Sequence, residues 1–206
     1  MIVVIDYGMG NLRSVQKAGE HLGKNLRVTD SPAVIKKAKK IIFPGVGNFQ
    51  QAVKELKKRK IFDILVDRIK EGVPFFGICL GMQLLLCESE EAPGIKGLGV
   101  LKGKVRKFSE KKIIVPHIGW NEVCGAKRIV HSGEKLFKGI PKGSYFYFAH
   151  SYYCDITEKD AILATTKYDI NFSSACCKKN IWGVQFHPEK SQKLGLKLFN
   201  NFLTLC

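Results

Sequence analysis

The sequence has no apolar run long enough to cross a membrane. Its longest apolar stretches fall well short of the ~18 residues that a transmembrane helix needs. The first residues read as a strand and not as a basic segment followed by a long apolar one, so they do not indicate a signal peptide. We therefore expect a cytoplasmic protein that does not bind membranes.

Cysteines in metal-binding spacing are also missing. The chain has 7 cysteines, an odd number, and no two of them are spaced Cys-x-x-Cys. Without an export signal, this pattern does not indicate a disulfide framework. The adjacent Cys176 and Cys177 make a poor metal pair, so we expect no metal site and mostly small, buried thiols.

Arginine is scarce in a strongly basic chain. The net charge is +16, with 34 Lys and Arg residues against 18 Asp and Glu, yet only 6 of the basic residues are arginines. Arginine is the side chain that reads bases through paired hydrogen bonds. The lysines are scattered, with one denser stretch over residues 36–60. We therefore expect a solvated lysine-rich surface and no nucleic-acid binding.

The pattern of strands and helices predicts one α/β domain over residues 1–206. A chain of 206 residues that is 45% hydrophobic and 25% charged is large enough to bury its own core. In the first half, strands are predicted at Ile2–Asp6, Leu26–Thr29, Lys40–Phe43 and Val73–Ile78. Helices are predicted from Asn11 to Leu22, after Ser31-Pro32, over Phe49–Lys58 and Phe62–Lys70, and from Leu80 to about Leu86. This alternation indicates a mostly parallel sheet with helices on both faces.

The second half predicts an added antiparallel portion. Short β runs separated by turns cover Gly99–Phe108, Ile113–His117, Tyr145–His150, Ile162–Thr166, Phe172–Cys177 and Ile181–Gln185, and a last helix covers Ser191–Leu205. The sequence shows no repeat, linker or low-complexity segment.

A strand-to-helix turn around Cys79 is the sharpest chemical signal. Gly77-Ile78-Cys79-Leu80-Gly81 follows a predicted buried strand and precedes a helix, as a nucleophile elbow requires. The two glycines let strand and helix approach closely around a strained turn. At the start of the helix, free N–H groups and the helix dipole favour the thiolate form. The alternative is a buried structural cysteine.

A base for this nucleophile is predicted at His187. In Gln185-Phe186-His187-Pro188-Glu189, alternation along an extended segment places His187 and Glu189 on the same side. Glu189 can then orient one ring nitrogen of His187 while the other faces a thiol. Because proline cannot donate to a neighbouring strand, the strand should stop at Pro188.

An oxyanion hole has two candidate sources. One is the N–H of Leu80, next to the nucleophile, and the other is the turn Pro44-Gly45-Val46-Gly47 after the third strand. The carboxyl ends of parallel strands converge on one crevice, so these segments should meet there. An ordinary loop between a strand and a helix would also explain the turn.

Together these motifs resemble the class I (triad) glutamine amidotransferases. Four blocks, Ile5–Leu12, Pro116–Asn121, Tyr147–Tyr152 and His187–Gln192, look like one branch, the glutaminase subunit of imidazole glycerol phosphate synthase of histidine biosynthesis. The matching blocks extend from residue 2 to residue 192. The resemblance implies a three-layer α/β fold and no cofactor.

The resemblance also implies a mechanism. Cys79 would attack the side-chain amide of glutamine, His187, oriented by Glu189, would pass a proton to the leaving ammonia, and water would hydrolyse the glutamyl thioester. The N–H groups of Val46, after a peptide flip, and Leu80 would hold the oxyanion. By similarity, the glutamine-binding positions are Gly47, Gln83, Ser151 and Tyr152.

A partner is implied because the glutaminase domain uses the whole sequence. The resemblance supplies a (β/α)8-barrel cyclase subunit that forms a heterodimer and receives the ammonia. In the family, that subunit converts a phosphoribulosyl formimino-carboxamide ribonucleotide to imidazole glycerol phosphate and an aminoimidazole carboxamide ribonucleotide. The candidates for docking are the predicted loop Pro116–Asn121 and the turn at Lys190-Ser191. The interface residues singled out there are Ile118, Trp120, Asn121 and Lys190.

Other functions remain open at this point. A glutaminase subunit of anthranilate or pyridoxal phosphate synthesis would share the triad but not the Asp6–Asn11 and Pro116–Asn121 blocks. A cysteine α/β hydrolase would explain the elbow but not His-Pro-Glu near the end, and a non-catalytic regulatory module would not need the intact triad. A dinucleotide fingerprint at Gly8-Met9-Gly10 is rejected because Arg13 replaces the third glycine. For His117 and His150 we expect packing or interface roles.

Overall fold

The computed structural model describes residues 1–111, 113–125 and 131–206. Its strands are β1 (Ile2–Ile5), β2 (Leu26–Thr29), β3 (Lys40–Gly45), β4 (Phe75–Cys79), β5 (Leu86–Ser89), β6 (Leu101–Lys107), β7 (His117–Gly125), β8 (Ser144–His150), β9 (Tyr152–Ile156), β10 (Ile162–Tyr168), β11 (Ile170–Lys178) and β12 (Ile181–Val184). Its α-helices are α1 (Leu12–His21), α2 (Pro32–Ile35), α3 (Phe49–Lys58), α4 (Phe62–Lys70), α5 (Leu80–Gln83), α6 (His131–Leu136) and α7 (Gln192–Leu205), with 3₁₀ turns at Lys159–Ala161 and Pro188–Lys190.

One continuous sheet runs through the described residues in the order β2-β1-β3-β4-β12-β11-β10-β7-β8. The pairs from β2 to β12 are parallel, and the pairs from β12 to β8 are antiparallel. A branch of β5, β6 and β9 joins the sheet where β9 pairs with β11. The sheet is therefore mixed, and the predicted antiparallel portion continues the parallel part.

Helices cover both faces of the parallel part of the sheet. In β1, Val3 and Ile5 belong to the core formed with α2, α3 and α4, while Val4 belongs to the core formed with α1 and α7. This alternation is what a strand buried on both faces requires, because successive side chains point to opposite faces. The predicted three-layer α/β architecture is confirmed.

Polar contacts satisfy the start of α1 and the end of α7. The Asn11 side chain accepts a hydrogen bond from the Ser14 N–H at the start of α1, and Gly23 follows α1 with a φ of 67°. At the end of α7, the Lys40 ammonium donates to the carbonyls of Phe202 and Leu203, both at 3.0 Å. A cation at this end satisfies carbonyls that have no partner within the helix.

The helix after Cys79 is shorter than predicted. It was expected to reach about Leu86, but α5 ends at Gln83 and β5 begins at Leu86. The carbonyls of Leu84 and Leu85 accept hydrogen bonds from the N–H groups of Leu98 and Val100 and cannot continue a helix. This pairing with a distant segment prevails over the local helical periodicity.

The segment expected to be a docking loop is the start of a strand. Ile113–His117 was predicted as a strand and Pro116–Asn121 as a loop, but residues 113–116 are irregular and β7 begins at His117. The prediction also missed β5, β9 and α6. No helix in the described ranges is long and apolar enough to cross a membrane, and no disulfide joins the cysteines there.

Candidate active site

Cys79 occupies a strained position between β4 and α5. Its φ of 54° and ψ of −110° lie outside the usual conformations of a non-glycine residue. A Cβ on Gly81 would lie 1.8 Å from the Phe43 carbonyl oxygen, and one on Gly77 would lie 2.6 Å from the Gly81 oxygen. Both glycines are therefore needed for the turn, and the predicted elbow forms.

His187 and Glu189 form a buried pair. His187 Nδ1 lies 2.8 Å from Glu189 Oε1, and both side chains are 3% exposed. The strand β12 ends at Val184, and Glu189 lies in the 3₁₀ turn Pro188–Lys190. The contact expected from alternation along a strand is thus made across a turn.

The pKa of His187 depends on its interaction with Cys79. Burial lowers the pKa of His187, but the Cys79 thiolate and the Glu189 carboxylate outweigh burial and raise it overall. The buried Nε2 has no partner of hydrogen-bond geometry among the described residues. It is available for a proton that moves between the thiol and a substrate.

Ser191, which the sequence indicated only as part of a docking turn, secures the loop that carries His187. Its hydroxyl donates to the His187 carbonyl at 2.7 Å and accepts from the Tyr147 N–H at 2.9 Å. The His187 N–H in turn donates to the Tyr147 carbonyl at 2.8 Å. These three hydrogen bonds tie the His187 loop to β8.

A cavity of about 220 Å³ opens beside Cys79 at the carboxyl ends of β3 and β4. Seven residues predicted for the site line it: Val46, Gly47, Cys79, Leu80, Gln83, Ser151 and Tyr152. The wall also contains Glu91, which the sequence analysis missed and whose carboxylate accepts from the Phe49 N–H at 2.7 Å. Segments distant in the sequence are thus brought together as predicted, whereas Glu91 belongs to no motif that could have identified it.

The end of β3 and the turn that follows it lie against the nucleophile. Gly45 is in register with Cys79, and Gly47 has a φ of 102°, which favours glycine. The hydroxyl of Tyr7 packs against Gly45, where a Cβ would lie only 2.3 Å from it. The Val46 and Leu80 candidates for the oxyanion hole therefore border the same cavity.

Another missed residue, Gln185, contacts the thiol. This fully buried side chain donates from Nε2 to Cys79 Sγ at 3.5 Å. Its Oε1 accepts from Gln83 Nε2 at 3.2 Å, and Gln83 Nε2 also donates to the Tyr152 carbonyl at 2.9 Å. The only feature of the sequence that could have identified Gln185 as a site residue is its position two residues before His187.

Comparisons with known proteins agree with this geometry. A family model described as "Glutamine amidotransferase class-I" matches residues 3–206. A Pyrococcus furiosus protein named "Imidazole glycerol phosphate synthase subunit HisH" is 50% identical over 99% of this chain and 98% of its own length. A Methanococcus maripaludis protein named "Imidazole glycerol phosphate synthase subunit HisH 1" is 47% identical over the full length of both chains.

The chain belongs to the class-I glutamine amidotransferase family, among its HisH subunits. A solved structure described as "Crystal structure of glutamine amidotransferase" superposes with a TM-score of 0.76 at 20% identity, covering 100% of this chain and 98% of that one. At that identity the likeness shows the fold alone. The family resemblance inferred from the motifs is confirmed.

This amidotransferase exposes an apolar face next to the cavity. On β7, Ile118 is 62% exposed and Trp120 is 46% exposed. Trp120 pairs in register with Tyr147 of β8 and meets its ring edge-on at 6.2 Å. Lys190 Nζ lies 5.8 Å from the centroid of the same ring. Three of the four predicted interface residues therefore lie close together.

Asn121, the fourth predicted interface residue, makes hydrogen bonds within the chain. Its Nδ2 donates to the Lys167 carbonyl at 3.1 Å, and its Oδ1 accepts from the Glu122 N–H at 2.8 Å. Nδ2 also lies 3.2 Å from His117 Nε2. Its side chain therefore has structural partners of its own on β7 and β10.

Proposed function

We propose that this protein hydrolyses glutamine with Cys79, His187 and Glu189 and delivers the ammonia to a cyclase subunit. The observation that carries the proposal is the geometry around Cys79. Cys79 lies at a strained backbone position and borders a cavity. Its thiolate raises the pKa of the buried His187, whose Nδ1 is held by the Glu189 carboxylate. This is the arrangement that nucleophilic catalysis with an oriented base requires.

Acylation begins at Cys79 Sγ. The thiolate attacks the side-chain amide carbon of glutamine, and the carbonyl oxygen becomes an oxyanion held by the N–H groups of Leu80 and, after a peptide flip, Val46. His187 donates its Nε2 proton to the amide nitrogen, the C–N bond breaks, and ammonia leaves. Glu189 keeps Nδ1 protonated and stabilises the imidazolium.

Deacylation returns the enzyme to its starting state. His187 Nε2 removes a proton from water, which attacks the glutamyl thioester and releases glutamate. The C–S bond breaks and Cys79 leaves as the thiolate. The same histidine thus acts first as an acid and then as a base.

Polar groups of the cavity wall match the amino-acid end of glutamine. The Glu91 carboxylate offers a counter-charge for the α-ammonium group, and its position is fixed by the Phe49 N–H. Gln83 uses Nε2 for Tyr152 and Gln185, which leaves its Oε1 to accept from the same ammonium. Gly47, Ser151 and Tyr152 complete the wall with backbone groups.

A cyclase partner explains what receives the ammonia. Ammonia released into water near neutral pH becomes mostly ammonium and loses its nucleophilicity. The exposed face with Ile118, Trp120 and Lys190 lies beside the cavity and has the aromatic and cationic character of an interface. We propose that it docks a (β/α)8-barrel cyclase in the cytoplasm. The HisH relatives support a partner of some kind, since each is named as a subunit of imidazole glycerol phosphate synthase.

Glutamate release from glutamine tests the proposal. The chain is assayed alone and then with a histidine-pathway cyclase subunit and its nucleotide substrate. We expect a low rate alone, a large increase in the complex, and none with Cys79→Ala, which should still support synthesis from added ammonia. His187→Ala should lose about 10²–10⁴-fold, and Glu189→Ala should lose less, because the nucleophile and the base stay in place. Strong hydrolysis without any cyclase effect would assign the chain to another synthase, and no hydrolysis would contradict the proposed activity.

A further inference from the structure

Two buried histidines that the proposed mechanism does not use form a hydrogen-bonded pair. His117 of β7 and His150 of β8 face each other in register, with Nδ1 of His117 3.0 Å from Nε2 of His150. Both are buried. The ring of His117 stacks on those of Phe148 and Tyr168, at 4.8 and 3.9 Å between centroids. This packing restricts the orientation of the His117 ring.

The direction of this hydrogen bond is fixed from the Asn121 side. The Asn121 amide is oriented by its two backbone partners, because Nδ2 donates to the Lys167 carbonyl and Oδ1 accepts from the Glu122 N–H. The second Nδ2 hydrogen is directed to His117 Nε2 at 3.2 Å, so that nitrogen must be an acceptor. His117 therefore carries its proton on Nδ1 and donates to His150.

The same direction follows independently from the other end. His150 Nδ1 lies 2.8 Å from the Tyr152 carbonyl, which can only accept, so Nδ1 carries the proton. His150 Nε2 is then the acceptor for His117. The contact with Asn121 and the contact with Tyr152 thus lead to the same assignment. Each histidine carries its proton on Nδ1 and accepts a hydrogen bond at Nε2.

Both histidines are held neutral by their surroundings. Burial lowers the pKa of His117 to about 4, and that of His150 to about 3. The chain Asn121→His117→His150→Tyr152 therefore persists without change across the physiological pH range.

The series of hydrogen bonds ends at Tyr152, which lies in the wall of the cavity. The Tyr152 carbonyl also accepts from Gln83, which contacts Gln185, which in turn donates to Cys79 Sγ. At its beginning, Asn121 directly follows the exposed Trp120 on β7. A continuous series of hydrogen bonds thus joins Asn121 of β7 to Cys79 in the cavity.

We propose that Asn121, His117 and His150 are positioning residues, which form a one-directional hydrogen-bond relay that holds the Ser151–Tyr152 wall in the shape that binds glutamine. The relay links the strand β7 to the wall of the substrate site. It rests on the proposed function for the identity of the ligand, whereas the tautomers of the two histidines do not depend on it.

Saturable alkylation of Cys79 tests the positioning role in the full-length chain. The probe is a diazo ketone analogue of glutamine, and the half-saturating concentration is measured separately from the limiting rate by mass spectrometry. Asn121→Ala and His117→Phe should each raise the half-saturating concentration about tenfold, because each interrupts the relay before it reaches His150. The limiting rate should stay within about twofold. The wall contacts the bound analogue equally in the ground state and in the transition state, so its loss weakens binding without slowing the reaction of the bound analogue.

Combining the two substitutions separates a relay from two local effects. If the residues act as one unit, the double variant should again shift the concentration about tenfold, whereas independent effects would multiply to about a hundredfold. Lys167→Ala is the matched control, since Lys167 contributes only its backbone carbonyl, and should change nothing. Alkylation by iodoacetamide should have equal rates in all folded variants, and a common loss there would overturn the positioning role in favour of general damage.

The tautomers are tested without any ligand. In ¹⁵N spectra of the wild-type chain at pH 7, both His117 and His150 should show a protonated Nδ1 and an unprotonated Nε2. Any other tautomer at either ring would overturn the relay. If the wild-type thiol is not saturably labelled by the diazo ketone while both tautomers are as expected, the proposed glutamine site fails and the relay remains only as a structural feature.

Discussion

At the scale of single residues, His187 lies between two groups that are anionic when the site is ready to react. Burial opposes the imidazolium, while the Cys79 thiolate and Glu189 favour it, and the pKa of His187 is raised overall. A protonated histidine beside a thiolate is the state from which acylation starts. The opposition of burial and charge therefore sets the pH range of the site.

Removal of either anion should lower the pKa of His187. The folded-state pKa lies above the value of about 6.5 expected in the unfolded chain. The stabilisation from this protonation is then fully present below pH ~6.5 and lost as the pH rises through the folded pKa. NMR titration should show a lower pKa in Glu189→Gln and a still lower one in Cys79→Ala, because the thiolate has the larger effect. A wild-type pKa near 6.5, or no change in either variant, would contradict this account.

The triad candidates could be predicted from the sequence because each lies in a short local motif. Cys79 stands in an elbow, and His187 and Glu189 are only two residues apart. Glu91 and Gln185 could not be predicted in the same way, because their roles depend on partners far along the chain. Gln185, for example, contacts Cys79 over a separation of 106 residues.

At the scale of elements, the close approach of α5 to β3 determines the shape of the elbow. Gly81 in α5 lies directly against the Phe43 carbonyl of β3. Both sides of this contact are backbone atoms, so no side chain can rotate away to make room for a larger residue. The sequence could predict that a strand and a helix meet at Cys79, but not how closely α5 packs against a third element.

Gly81→Ala should destabilise the fold strongly. The new Cβ would lie 1.8 Å from a backbone oxygen, and relief of this clash should cost about 3 kcal/mol or more in free energy of unfolding. Gly72→Ala is the control, because space there is open and only its φ of 86° is unfavourable for alanine, which should cost about 1 kcal/mol. Urea denaturation of both variants measures the difference. Equal costs would contradict the crowding argument.

Long-range pairing also explains which elements the sequence analysis missed. The periodicity from Leu80 to Leu86 is helical, but the Leu84 and Leu85 carbonyls pair with residues 98–101 and end the helix. β9 is short and pairs with β6 over five residues. By contrast, the parallel strands have continuous apolar runs and could be predicted without knowledge of their partners.

At the scale of the whole molecule, the mixed sheet places the cavity and the exposed face side by side. The cavity lies at the carboxyl ends of the parallel strands β3 and β4, while Ile118 and Trp120 lie on the antiparallel pair β7 and β8 at the edge of the sheet. Ile118 belongs to both, because it lines the cavity and is also exposed. A partner that covers this face would therefore also cover the mouth of the cavity.

Trp120→Ala should weaken assembly with the cyclase more than it lowers stability. Trp120 is 46% exposed, so its loss should change the free energy of unfolding by less than about 1 kcal/mol. As a large aromatic at the proposed interface, its loss should raise the dissociation constant at least about tenfold.

Leu205→Ala is the matched control for this substitution. Leu205 is also a partly exposed apolar side chain, but it ends α7 near Lys40, at the opposite end of β3 from the cavity. Calorimetric titration with the cyclase subunit and urea denaturation of each variant give the two quantities. A dissociation constant unchanged by Trp120→Ala, or changed equally by Leu205→Ala, would remove the β7 face from the interface. The partner would then have to reach the cavity from another side.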